Sequence, residues 1–230
     1  MKRFYKAATV ADAKNGFQVQ LDGRPLKTRG GAEFLIPRRA LAEAVATEWD
    51  EAGETIDARA MPLTRLAFTA IDSVHPNREI VVDEMVAFAS SDLLSYRAEA
   101  PEELAVRQAH AWDPLLDWSA KYHGARLQTT AGISHVAQSQ ETLSALRNAV
   151  CKHDDFALAA LHTATSLTGS LIIALAMRER RVDATEAFRL ATVDETFQAE
   201  KWGRDEEAQA RLTNHASELA AAERFLRLLA

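Results

Sequence analysis

No stretch of this 230-residue chain is apolar for long enough to span a bilayer: the longest, Ser170 to Met177, falls far short of the ~20 residues required. Cysteine occurs once, as Cys151, which rules out an internal disulfide and fits a reducing compartment. Aromatic residues make up only 7%. The opening MKRFYKAATV lacks the apolar centre of a secretory signal, so a cytoplasmic protein is expected. No low-complexity linker or internal repeat interrupts the chain. Catalytic signatures are missing too: there is no G-x-G-x-x-G, G-x-x-x-x-G-K-S/T, H-E-x-x-H or G-x-S-x-G. Gly30-Gly31 sits in a basic loop but opens no phosphate-binding helix, and is expected to connect two strands.

What is present is an ordinary soluble composition, 47% hydrophobic and 26% charged, long enough to bury a real core. The net charge of −6 argues against a general nucleic-acid binder. Charge is unevenly placed. Residues 1–39 hold nine Lys or Arg against three Asp or Glu, and residues 183–230 hold six against ten. The basic start is expected to protect the edge of a small sheet.

Patterning divides the chain into an α+β part and a helical part. Phe17 to Leu21 alternates as a half-buried strand, and Asp22-Gly23 signals a hairpin. A return strand through Leu26 and Lys27 and another through Phe34-Leu35-Ile36 are expected. Leu41, Val45 and Trp49 then recur every four residues in a helix closed by Gly53. Further on, Pro76 marks a helix start, and Leu93 to Arg97 reads as a short strand. Pro101 opens a long helix presenting Leu104, Ala111, Leu115, Trp118 and Tyr122, with a kink or new start expected at Pro114. Segments 138–152, 154–167, 170–180, 183–202 and 205–229 are helical in pattern. The last carries a seam of Leu212, Leu219 and Leu226 with His215, Ala222 and Leu229. The expected fold is α+β: a small N-terminal β-rich domain over residues 1–100, packed against an all-α helical domain over 101–230.

Isolated polar residues invite chemistry but have plainer roles. His153-Asp154-Asp155 is expected to be a helix end followed by an Asp cap, not a metal site. His162 and His215 are expected to be packing histidines, and Cys151 a small core residue.

Residues 183–204 are different. A single helix there places Leu190, Val193 and Phe197 on one side and Phe188, Ala191, Glu195, Ala199 and Trp202 on nearly the opposite side. One stripe suffices to dock a surface helix. Glu195 has no base three or four residues away, and a carboxylate among apolar groups is costly unless something satisfies it. Either the helix is buried on both sides, with Glu195 held by a distant partner, or the second stripe is a binding face with an acid at its centre.

The wording of this segment, Phe197-Gln198, Trp202-Gly203 and Glu206, resembles the C-terminal signature of the ATP synthase assembly chaperones that bind the alpha subunit. The likeness runs through the chain in order. It includes Lys2-Arg3-Phe4-Tyr5, Leu21-Asp22-Gly23-Arg24-Pro25, Lys27-Thr28, Glu48-Trp49-Asp50, Met61-Pro62-Leu63-Thr64-Arg65-Leu66 and Thr69-Ala70-Ile71-Asp72. Asp92-Leu93-Leu94, Tyr96-Arg97, Arg107-Gln108 and Trp112-Asp113-Pro114-Leu115-Leu116 follow. Phe68 stands where the family has a polar Asn, and Ser95 where Cys is common. The resemblance implies a chaperone without catalytic residues, cofactor or metal. Its implied partner is the unassembled alpha subunit of the catalytic head, with no nucleic acid, membrane insertion or small-molecule substrate. Phe188, Asp194, Glu195, Gln198, Trp202 and Glu206 are the expected partner-binding residues. The alternatives are an acid–base enzyme centred on Glu195, or a regulatory module docking on another helical protein.

Overall fold

The computed structural model describes residues 2–132, 134–203 and 205–230, and their contacts gather into two compact units. The first runs to Arg78 and adds Asp154–Ala160 and Arg224–Ala230; the second comprises Glu79–His153 and Leu161–Glu223.

In the first unit, β1 (Ala8–Ala13) and β2 (Gly16–Leu21) pair antiparallel, and β2 pairs on its other side with β3 (Arg24–Pro25) and β4 (Leu35–Ile36). The Asp22-Gly23 hairpin is as expected: both residues have positive φ, 49° and 75°, which the tight turn demands. The Asp22 carboxylate also accepts from the Lys6 and Ala7 amides at 3.0 Å, tying the chain start to the turn. β1 carries no clear strand signal in the sequence, because Ala-Thr-Val-Ala-Asp-Ala has little β propensity of its own. At the other end of its hairpin, only glycine fits at Gly16, where a Cβ would lie 2.7 Å from the Ile36 carbonyl oxygen.

Helix α1 (Arg39–Asp50) buries Leu41, Ala42, Val45, Ala46 and Trp49 in a core shared with Val19, Leu21, Phe34 and Ile36. Glu48 turns sideways to cap α2 (Pro62–Thr69). Its carboxylate accepts from the Leu63 and Thr64 amides at 2.8 Å and from Thr64 Oγ1 at 2.7 Å. Tyr5 Oη donates to the Trp49 carbonyl at 2.6 Å. Asp72, in the π-helical turn Ala70–Val74, accepts from Thr28 Oγ1 at 2.6 Å and Gly30 N at 3.0 Å, pinning the loop between β3 and β4. Phe68 packs edge-on to Phe34 at 4.8 Å, which gives its apolar character a role. The late segments complete this unit: Phe225 lies parallel to Phe156 at 6.3 Å, and Arg38 Nε donates to the Leu229 carbonyl at 3.2 Å.

Helices continue with α3 (Arg78–Ser90), a 3-10 turn over Leu93–Ser95, and β5 (Tyr96–Arg97); the expected strand is thus half turn. α4 (Glu102–Tyr122) follows, then β6 (Thr130–Ala131), which pairs parallel with β5. α5 (Gln140–Cys151), α6 (Asp155–Thr168), α7 (Leu171–Arg178), α8 (Ala184–Ala191), α9 (Val193–Trp202) and α10 (Glu206–Leu228) complete the chain. Every residue from Leu171 to Met177 is buried, so α7 is an interior helix. The buried Asp92 holds its N-terminus: the carboxylate accepts from the Ile172 amide at 3.3 Å and from Leu94 N at 3.0 Å. Ser95 is fully buried near Gln138, whose Nε2 donates to its Oγ at 3.3 Å.

The α+β expectation holds, with the β structure early and the later residues mostly helical. Three finer expectations do not, and of the two outcomes expected at Pro114 the new start is absent. α4 runs through Pro114 as one helix, and the carbonyl that Pro114 leaves without a donor belongs to the exposed His110. Its buried face is Leu104, Gln108, Trp112, Leu115 and Ser119, while Tyr122 is exposed. Cys151 is exposed at the last turn of α5, not a core residue. The single helix expected over 183–204 is two, divided at Thr192, whose φ of −115° and ψ of 27° leave the helical range. Asp154 does cap α6, accepting from the Ala157 amide at 2.8 Å.

Candidate functional site

The two-sided pattern of residues 183–204 survives the break at Thr192. Leu190, Val193 and Phe197 are buried; Phe188, Ala191 and Ala199 are half-buried; Glu195 and Trp202 are exposed, Trp202 to 77%. Thr192 Oγ1 donates to the Phe188 carbonyl at 2.8 Å, closing α8 as α9 starts.

α4 fixes the buried side of α9. Gln108 spans the gap: its Nε2 donates to Asp194 at 2.7 Å while its Oε1 accepts from the Ala98 amide, also at 2.7 Å. Trp112 Nε1 donates to the Leu190 carbonyl at 2.8 Å, so the indole is both buried and satisfied. Phe197 meets two cations, Arg107 and Lys201, each 5.2 Å from its ring centre. Those cations are themselves paired, Arg107 to Glu200 at 2.8 Å and Lys201 to Glu103 at 2.8 Å, and Lys201 holds the Glu103 carboxyl below its usual range. The inner side of α9 is therefore fully engaged.

Its outer side is not. Glu195, Gln198, Ala199 and Trp202 line an open groove of about 310 Å³, with the start of α10 supplying the facing wall. That wall is Asp205, Ala208, Gln209 and Leu212, one helical face by their spacing, together with Arg211. Asp205 accepts from the Glu207 amide at 2.9 Å and so caps α10. Glu195 makes no ion pair among the described residues.

Of the six residues singled out from sequence, the structure brings Glu195, Gln198 and Trp202 together at this groove. Glu206 is exposed on the adjoining turn outside its lining, Phe188 is half-buried on α8, and Asp194 is spent on Gln108. The α10 wall is not among the residues expected from sequence, although its 205, 208, 209, 212 spacing is that of one helical face. Among the described residues no group of His, Cys, Asp and Glu is placed to hold a metal ion, and no helix is long and apolar enough to cross a membrane.

Known proteins share both the sequence and this architecture. The solved Atp12 of Paracoccus denitrificans is 44% identical with a TM-score of 0.96, covering 100% of this chain and 98% of that one. A protein from Agrobacterium tumefaciens is 43% identical with a TM-score of 0.96, over 100% of this chain and 86% of its own. Protein atp12, mitochondrial, of Schizosaccharomyces pombe is 28% identical over 219 residues, which is 90% of this chain and 75% of the relative. The ATP12 chaperone protein family matches residues 2–120. On these grounds the chain belongs to the ATP12 chaperone family.

Proposed function

We propose that the protein binds the unassembled alpha subunit of ATP synthase, covers the apolar surface destined for the beta subunit, and yields it when beta arrives. It works as a cytoplasmic holding factor, not as an enzyme. A subunit waiting for its partner exposes apolar surface that aggregates. A binder that covers this surface reversibly stabilises it by mass action and is displaced by the tighter, permanent interface.

The observation carrying this reading is the outer side of α9. An exposed Trp202 beside Ala199 offers apolar area, and Glu195 with Asp205 offers carboxylates to a basic partner. An exposed indole at a helix end can serve as an interface anchor. The test is co-elution. The purified protein is expected to co-elute with free alpha subunit and not with the assembled catalytic head. Co-elution with the head and none with free alpha would overturn the reading.

A further inference from the structure

The first unit carries a second groove of opposite character. It has a volume of about 520 Å³ and a floor formed by Leu26, Trp49, Ile56, Met61 and Phe68. Phe4 stands at its edge with 66% of its surface exposed. Three cations line it, Lys27, Arg29 and Arg65, and no carboxylate does. Asp72, near Arg29 and Arg65, has its oxygens directed to Thr28 and Gly30. Lys27 and Arg29 make no ion pair among the described residues. Trp49, at the base of the floor, is 6% exposed, and its Nε1 has no hydrogen-bond acceptor among the described residues.

We infer that this groove is a second docking surface, built for an extended client segment in which a bulky apolar side chain neighbours a carboxylate. The apolar side chain fills the floor between Phe4 and Phe68. The carboxylate meets Lys27 and Arg29 at the rim. The inference deepens the chaperone reading and rests on it: the acidic α9 groove and this basic one select different segments of a client.

The test uses fluorescein-labelled dodecapeptides in which Leu and Phe alternate with Asp, beside the same peptides with Lys for each Asp, read by fluorescence polarisation on the full chain. The acidic series is expected to bind at least about tenfold more tightly, and to weaken as salt rises. The doubly reversed Lys27→Glu, Arg29→Glu protein, altered only at exposed positions, is expected to lose at least about tenfold for that series. Glu195→Lys is expected to leave peptide binding unchanged. Equal binding of the two series, or acidic binding that survives the double reversal, overturns the inference. Capture of free alpha subunit by the same wild-type preparation separates the two readings. Alpha captured without acidic-peptide binding removes only the second groove; peptide binding without alpha capture removes the client assignment and leaves the groove standing.

Discussion

A lysine in place of Glu195 sets a cation where the groove offers a carboxylate, on a side chain that faces solvent. Surface substitutions of this kind usually change stability by less than ~0.5 kcal/mol. Glu195→Lys is therefore expected to melt with the wild type but to lose alpha-subunit binding through repulsion, as thermal melts and a binding assay on one preparation will show; a collapsed fold, or undiminished binding, excludes the assignment. Trp49 is the opposite case. It is 6% exposed, 5.8 Å from the Tyr5 ring, and its carbonyl receives the Tyr5 hydroxyl. Losing a buried Trp costs ~3–5 kcal/mol, and an Arg would add a charge to be buried. Trp49→Arg is expected to be insoluble or unfolded, and a melt within a few degrees of wild type would show the site tolerates exposure. The burial of Leu190, Val193 and Phe197 was legible because periodicity alone decides it. Cys151 misled because a lone small residue has no period of its own, and its position in the final turn of α5 depends on where that helix ends.

Elements were legible where a turn or a repeat dictated them and obscure where distant residues did. The Asp22-Gly23 hairpin and α1 follow from local sequence. The division at Thr192 does not: Leu190, Val193 and Phe197 keep helical spacing across it, and Thr192 itself is a tolerable helix residue. Half of the candidate groove was legible on α9, while its α10 wall depends on how two helices come to face each other. The start of α7 shows a distant cap with a measurable signature. Burial raises the Asp92 pKa from 3.8 to about 6, although amides of Leu94 and Ile172 favour its charged form. Between those values the folded protein binds a proton that the unfolded chain releases. The associated stability is thus fully present below pH ~4 and lost as pH rises through about 6, on the order of 3 kcal/mol. Urea unfolding of wild type and Asp92→Asn at pH 4.5 and 7 is expected to show this contribution in the wild type only. An unchanged pH difference in the variant would mean Asp92 does not carry it.

For the whole molecule, sequence pattern conveyed the α+β class but not the return of residues 154–160 and 224–230 to the first unit. That return depends on contacts such as Phe156 with Phe225, sixty-nine residues apart, which leave no local trace. Deleting Arg224–Ala230 removes the buried Phe225, Leu226 and Leu229 together with the carbonyl that receives Arg38. Each lost side chain costs ~2–5 kcal/mol, and together they approach the ~5–15 kcal/mol that holds a domain. The truncated protein is expected to lose protection of the amides of β1, β2 and α1 in hydrogen exchange; full protection there would show that the unit closes without its last seven residues.

The same arrangement sets a timetable for the ribosome. Translation delivers the sheet and α1 first and the residues that finish their core last, more than a hundred codons later. Throughout that interval the nascent N-terminal segment displays Leu and Phe surface of the kind we propose the finished protein shields on another chain, and its own completion must wait until the final turn of α10 has left the exit tunnel.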